Sequence, residues 1–263
     1  MLPPRFLALP TRTPKPRAAG LTHVLDKGMP PGELEAWVDS AGDFVDFWKF
    51  GWGTAYIDPT VEKKVATLQG HGIRACLGGT LLEVAWYQGK ENECFAWAAD
   101  IGIGCIEVSN GALPMPVSEK RRLIAKAAER FLVFSEVGSK DPLVPVSPLA
   151  WAEQAAGDLK TGAAWVLGEG RESGTVGLYG SDGEVREQVV EAIVSAAGVR
   201  RVVFEAPRRH QQAWFIRRFG PDVNLGNVAP AEVLGLETLR LGLRADTVRP
   251  AGTESSASVA LPE

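Results

Sequence analysis

The amino-acid sequence predicts a single (β/α)8 barrel, and three features carry that prediction. Eight short β-branched or aromatic runs recur along the 263 residues. Each run ends in a polar, glycine-containing turn and is followed by a stretch of helical periodicity. No Pro/Gly/Ser-rich linker divides the chain, whose length matches the roughly 250 residues such a barrel needs. Strands that alternate with helical segments form parallel βαβ units. The alternative architecture built from the same units is an open, doubly wound sheet.

The eight strand runs lie at residues 21–25, 44–50, 73–77, 105–108, 131–135, 163–167, 201–204 and 223–225. Between and after them, helical periodicity marks 59–69, 91–100, 118–130, 149–160, 183–197, 211–219 and 230–243. Asp58-Pro59, Ser118 and Ala229-Pro230 signal helix starts, because a proline early in a helix lacks an N–H that would be unsatisfied there anyway. The ends have no such periodicity. Residues 1–16 are proline-rich and basic, and 250–263 are small and polar, so both are expected to be flexible tails around a barrel spanning 17–249.

Bulk properties narrow the function. A formal net charge of −4 gives no field that would draw the chain to nucleic acid or an anionic membrane. No run approaches the roughly 18 apolar residues of a membrane span. The first residues lack the apolar segment of a secretory signal. Three scattered cysteines, Cys76, Cys94 and Cys105, offer neither a disulfide framework nor zinc-ligand spacing. The expected location is the cytoplasm. His23, His71 and His210 have no metal-ligand spacing and are read as structural or surface residues, with His210 the best placed to touch a ligand. There is no Gly-x-Ser-x-Gly elbow, Walker loop or Gly-x-Gly-x-x-Gly.

The informative residues follow the strands. In order, the strand ends read Asp26-Lys27-Gly28, then Lys49-Phe50-Gly51-Trp52-Gly53-Thr54, then Gly78-Gly79-Thr80 with Glu83 beyond. Next come Glu107 with Ser109-Asn110-Gly111, and Glu136-Val137-Gly138-Ser139-Lys140. The last three are Glu169-Gly170-Arg171-Glu172, Glu205-Ala206-Pro207 and Asn224-Leu225-Gly226-Asn227. A parallel barrel gathers all these ends on the face where active sites lie. A single glutamate at a strand end is an ordinary ion-pair partner; charged residues at so many ends make an enzyme site the better reading. Asp26, Glu107, Glu136, Glu169 and Glu205 are candidate ligands for a hard cation such as Mg²⁺, which prefers oxygen. Lys140, Lys49 and Arg171 are the catalytic candidates, as cations that hold anions or, for lysine, give up a proton. Lys27, Gly79, Thr80, Arg208, Gln211, Gln212, Asn224, Gly226 and Asn227 are candidates for binding substrate or phosphate. Together they describe a small anionic, phosphorylated carboxylate held by metal and lysine.

Ten motifs in chain order extend this reading. They are Gly-Leu-Thr-His-Val-Leu-Asp-Lys-Gly (20–28), Asp-Phe-Trp-Lys-Phe-Gly-Trp-Gly-Thr (46–54), Gly-Gly-Thr-Leu-Leu-Glu (78–83), Ile-Glu-Val-Ser-Asn-Gly (106–111) and Ser-Glu-Val-Gly-Ser-Lys (135–140). Glu-Gly-Arg-Glu-Ser-Gly (169–174), Phe-Glu-Ala-Pro (204–207), Gln-Gln (211–212), Val-Asn-Leu-Gly-Asn (223–227) and Leu-Gly-Leu-Arg-Ala-Asp-Thr (241–247) complete them. Over residues 17–248 the chain resembles the phosphosulfolactate synthase family. That resemblance implies a (β/α)8 barrel, a homo-oligomer, Mg²⁺ dependence and Michael addition of sulfite to phosphoenolpyruvate, giving (2R)-phospho-3-sulfolactate. In the family this reaction opens coenzyme M biosynthesis in methanogens and sulfolactate formation in some bacteria, while plant relatives are heat-stress-associated proteins. It also implies that Lys140, the second lysine of the family's Lys-Lys pair, protonates C2. Three positions depart from the family pattern: Ser139 replaces the first lysine of that pair, Asn110 replaces an aspartate, and Ala19 replaces an arginine. These departures raise two alternatives. One is a paralogue using another nucleophile or enol acceptor; the other is a non-catalytic stress-related homologue.

Overall fold

The computed structural model describes residues 6–141 and 143–248. Eight parallel strands close into a barrel in sequence order. They are β1 (Thr22–Asp26), β2 (Phe47–Phe50), β3 (Arg74–Leu77), β4 (Cys105–Val108), β5 (Leu132–Val137), β6 (Trp165–Gly168), β7 (Val202–Glu205) and β8 (Asn224–Val228). Pairing of Thr22 with Leu225 and of Val24 with Val228 seals the sheet. The helices are α1 (Pro31–Ala41), α2 (Thr54–Ile57), α3 (Val61–Gly70), α4 (Gly79–Tyr87), α5 (Glu91–Asp100), α6 (Val117–Ala128), α7 (Pro148–Thr161), α8 (Glu187–Ala197), α9 (Arg209–Phe219) and α10 (Val233–Arg240). The closed sheet removes the doubly wound alternative.

Strand periodicity explains both cores. Alternate residues of a strand face opposite sides of the sheet. Trp48, Phe50, Ile106, Val108, Val133, Val137, Val166, Val202 and Phe204 face outward and join the large cluster formed with the helices. Leu21, Phe47, Cys76, Cys105, Phe134, Leu167 and Val203 form a separate cluster inside the barrel. Two residues beyond five of these interior positions stand Lys49, Glu107, Glu136, Glu169 and Glu205. A period of two therefore puts an apolar plug below and a charged layer above on the same inner face.

Several elements differ from the sequence expectation. The second strand starts at Phe47, because Gly42–Phe44 make a 3₁₀ turn and Asp46 accepts the Thr22 N–H at 2.9 Å. Strands β5 to β8 run one to three residues further than the apolar runs that mark them. Their ladder continues through the first acids, with Glu136 paired to Leu167 and Glu205 to Gly226. Helices α1 and α4 carry no such mark in the sequence reading. Helix α1 opens on Pro31, and α4 begins inside the Gly78-Gly79-Thr80 turn. Helix α8 starts at Glu187 rather than 183, because residues 179–185 fold into a turn closed by a bridge between Tyr179 and Val185. The segment from 230 opens with a 3₁₀ turn, Pro230–Glu232, before α10.

Within the N-terminal stretch expected to be loose, Arg12 and Lys15 are tied to the base. Arg12 bonds Glu237, Asp222 and the Gly20 carbonyl, and Lys15 donates to the Gly42 carbonyl. The expected 250–263 tail lies outside the described residues. No helix among the described residues is long and apolar enough to cross a membrane.

Candidate active site

The carboxyl ends of the strands surround a cavity of about 430 Å³. Leu25, Trp52, Gly79, Thr80, Lys140, Arg171 and Asn227 line its walls, and Lys49, Glu107, Glu136, Glu169 and Glu205 line its floor. All four glutamates and Lys49 are buried. Burying so many ionised groups is costly unless each is paired or held by hydrogen bonds.

The floor divides into a closed half and an open half. In the closed half, Lys49 Nζ sits between Glu107 Oε1 at 3.0 Å and Glu205 Oε1 at 3.2 Å. The second oxygens are also used: Glu107 Oε2 accepts the Gly79 N–H and Glu205 Oε2 the Gly170 N–H. Burial works against the Lys49 ammonium, but Glu107 and Glu205 outweigh it and hold Lys49 charged, above its ordinary pKa. Burial pushes Glu107 up to about 7, against the pull of Lys49 and with help from Glu136 and Glu205. His23 Nε2 lies 3.4 Å from Glu107 Oε1, and burial together with Lys49 keeps its imidazole neutral.

The open half centres on Lys140. Its Nζ contacts Glu136 Oε1 at 2.8 Å and stands 3.8 Å from Glu169 Oε2 and 3.9 Å from Glu83 Oε1. With 22% of its side chain exposed, it reaches the cavity. Burial opposes its charge, but Glu136 and Glu169 overcome that and hold it protonated. Burial also disfavours ionised Glu136, yet the adjacent Lys140 ammonium brings it down to about 2. Glu169 moves the other way, raised by burial and by the neighbouring Glu136 and Glu205. The two neighbouring carboxylates thus titrate apart, Glu136 favouring the ionised form beside Lys140 and Glu169 the protonated one. Glu169 Oε1 accepts the Arg171 N–H at 2.7 Å, and Oε2 is buried without a hydrogen-bond partner.

Strained and close-packed backbone shapes the rim. Trp52, Arg171 and Asn227 have φ near +50°, a region that disfavours non-glycine residues and persists where the surroundings impose it. Asn227 lines the cavity with its Oδ1 unpartnered. Gly78 must be glycine, since a Cβ there would stand 2.9 Å from the Phe50 carbonyl oxygen. Arg171 Nη1 donates to the Lys140 carbonyl, linking the loop after β6 to the loop after β5.

Ten candidates from the sequence therefore meet around one cavity: Lys49, Gly79, Thr80, Glu107, Glu136, Lys140, Glu169, Arg171, Glu205 and Asn227. Lys27 stands at the rim, paired with Glu172 at 2.8 Å. Six others are placed elsewhere. Asp26 has the outward parity of β1: its Oδ1 caps the Gly28 and Met29 N–H groups, and its Oδ2 lies 3.8 Å from Lys64. Asn224 sits at the opposite end of the barrel, where it bonds Leu21 N and the carbonyls of Arg200 and Val202. Gln211 donates to the Gly174 and Gly183 carbonyls, and Gln212 to that of Ala206, so both brace loops. Arg208 caps α9 beside Gln211. Gly226 lies within β8, where a Cβ would crowd Val203 and His23. The sequence reading named Glu83 without giving it a role. It accepts the Ser109 hydroxyl and the Ala112 and Leu113 N–H groups, fixing the loop after β4. Its position one turn into α4, on the buried face, was the available signal.

Comparison with known proteins decides the family. Residues 10–246 match the family model described as (2R)-phospho-3-sulfolactate synthase (ComA). The chain belongs to the phosphosulfolactate synthase family. A phosphosulfolactate synthase of Bacillus subtilis (strain 168) is 44% identical over 244 residues, covering 92% of this chain and 97% of the relative. One from Methanothermobacter thermautotrophicus is 42% identical over 245 residues, covering 91% and 95%. Among solved structures, 3-hexulose-6-phosphate synthase from Salmonella typhimurium superimposes with a TM-score of 0.56 at 11% identity, over 85% of this chain and all of that one. At that identity the likeness speaks for the barrel alone. As a phosphosulfolactate synthase family member the protein is an enzyme of the lyase type, and its cavity lies where barrel enzymes carry out chemistry.

Proposed function

We propose that this enzyme adds sulfite to phosphoenolpyruvate to give (2R)-phospho-3-sulfolactate, with Lys140 as the proton donor and a Mg²⁺ ion at Glu136 and Glu169. The observation that carries this reading is the open half of the site: a charged, partly exposed lysine 2.8 Å from Glu136 and 3.8 Å from Glu169, two buried carboxylates at the cavity floor.

The chemistry can be followed atom by atom. Sulfite sulfur forms a bond to C3 of phosphoenolpyruvate as the C2–C3 π bond breaks. The electron pair moves through C2 into the carboxylate as an aci-carboxylate, and a proton then goes to C2 while the phosphate stays in place. The aci form is a strong base, so even an ammonium held above its ordinary pKa is acid enough to protonate it. Lys140 reaches the cavity and carries that proton. Lys49 is too enclosed by Glu107 and Glu205 to give up its own, and it fixes the floor's charge. Arg171 and Asn227 face the cavity with groups suited to anionic substrate oxygens.

The donor set also fits a cation. Four buried glutamates outnumber Lys49 and Lys140, and both substrates are anions. An ion held by Glu136 and Glu169 would use the unpartnered Glu169 Oε2. Mg²⁺ takes oxygen ligands of this kind and would supply positive charge where the substrate carboxylate gains negative charge.

None of the three departures from the family pattern lines the cavity, which supports the family reaction over a changed substrate. Ala19 precedes β1 at the base, far from the cavity. Asn110 spends its amide on the Met115 carbonyl and on Gln154. Ser139 Oγ accepts the Asp141 N–H at 3.1 Å. The test is direct: the protein is incubated with phosphoenolpyruvate, sulfite and Mg²⁺, and the product is identified by mass spectrometry. Phosphosulfolactate that disappears on chelation supports the reading. Folded, metal-binding protein that makes none would overturn it.

A further inference from the structure

Directly beneath the cavity floor, and sharing Glu107 with it, lies a cluster whose histidine and cysteine the proposed reaction does not use. His23 on β1, Cys76 on β3 and Glu107 on β4 point inward, and one ligand atom from each lies within 4.8 Å of the other two. His23 and Cys76 are completely buried and Glu107 is 1% exposed. Neither ring nitrogen of His23 has a hydrogen-bond partner, although Nε2 approaches Glu107 Oε1 at 3.4 Å. The ring is wedged between Phe47 and Phe134, at centroid distances of 6.2 and 5.2 Å, which fixes its orientation without satisfying its nitrogens. A fully buried imidazole left this way costs about 1–3 kcal/mol per unsatisfied group, so an occupant is expected. Cys105, in register with Cys76 on the next strand, puts a second thiol beside the first.

We infer that His23, Cys76 and Glu107 form a second metal site for a borderline-soft divalent cation of the Zn²⁺ class, separate from the oxygen-lined site at Glu136 and Glu169. The ligand types decide the class. One imidazole, one thiolate and one carboxylate suit zinc, whereas Mg²⁺ and Ca²⁺ avoid sulfur and nitrogen. Of the three, Glu107 also lines the cavity above. Occupancy would also claim Glu107 Oε1, the atom that Lys49 contacts at 3.0 Å. The bound ion would therefore loosen the lysine that organises the closed half of the floor, making this an inhibitory site.

Co²⁺ alone serves as the probe, because a cobalt–thiolate bond produces a near-ultraviolet charge-transfer band that oxygen ligands do not. The full-length protein, stripped of metal, is titrated with Co²⁺ and followed by absorption, with metal content measured after dialysis. We expect one thiolate-containing site per chain, with the band lost in Cys76→Ala and weakened at least about tenfold in apparent affinity in His23→Asn. Cys94→Ala, on α5 outside the barrel, should leave the band unchanged. Thermal melting checks that each variant is folded. No thiolate band, or a band that persists in folded Cys76→Ala, would overturn the inference and leave an internal water as the partner of His23. Loss of the band in Cys94→Ala would do the same by assigning the thiolate elsewhere. Because the readout is spectroscopic, it stands or falls independently of the sulfite reaction.

Discussion

The two ends of the barrel both bury cations, and they use them differently. At the base, Arg240 is buried and directs its guanidinium at the carbonyl oxygens of Pro221, Val223 and Leu21. Burial, with Arg12 adding to it, lowers Arg240 to about 9. Asn224 likewise spends its whole amide on the Leu21 N–H just before β1, on Val202 of β7 and on Arg200 in the turn before it. At the mouth, Lys49 and Lys140 point at carboxylates instead, across a cavity that those carboxylates line. Burial of charge alone is therefore not a mark of function. A cation whose donors end on main-chain carbonyls is closing a fold, and one facing acids across a cavity is available for chemistry.

Substitutions at the two ends should separate these roles. The largest effect is expected at Lys140: Lys140→Ala should lower turnover by about 10²- to 10⁴-fold, the range for removing a general acid. The variant should still fold but melt somewhat lower, because buried Glu136 loses its partner. Next is Lys49→Met, which leaves Glu107 and Glu205 buried without their shared cation. It should cost about 3–5 kcal/mol in urea denaturation, the range for breaking a buried ion pair from one side. Asn224→Ala strands the Leu21 N–H and two carbonyls at the base. It should cost about 1–3 kcal/mol while leaving KM and kcat of the folded enzyme unchanged.

A smaller effect tests the floor's electrostatics. Folded Glu107 binds its proton up to about pH 7, whereas an unfolded glutamate releases it near about 4.3. The folded state thus holds the extra proton between those values, so stability should fall as pH rises through that window and level off above it. Glu169, also raised, adds to the slope, and Glu136, brought down to about 2, acts only below the window. Glu107→Gln should make the fall in denaturation midpoint between pH 5 and 7, a range chosen to lie inside that window, shallower. The smallest effect is expected at the rim, where Lys27→Ala removes an exposed pair with Glu172 and should change stability by under about 1 kcal/mol.

How much of this the sequence disclosed follows from periodicity. Strand runs with a period of two locate the barrel, and the charge placed two residues beyond Phe47, Cys105, Phe134, Leu167 or Val203 locates the floor. Asp26 shows where that logic must be applied more strictly, since one step of parity turns its carboxylate outward toward Lys64. Asn224 shares a strand with Asn227 yet lies at the other end of the barrel, because three residues of strand cross most of its height. Gln211 and Gln212 carry polar groups beside the site but face loop carbonyls, a choice made by tertiary contacts that no local pattern encodes. Glu83 and His23 acquire neighbours only when β1, β3 and β4 are brought together.

The contrast between mouth and base can be tested in one measurement. Initial rates of phosphosulfolactate formation from phosphoenolpyruvate and sulfite are compared for the wild type, Lys140→Ala and Asn224→Ala, each with its thermal midpoint recorded. The account predicts a Lys140→Ala protein that is folded at the assay temperature and makes almost no product, and an Asn224→Ala protein that melts earlier but turns over normally below its transition. Product formation by Lys140→Ala at near wild-type rate would contradict it, as would a folded Asn224→Ala enzyme without activity.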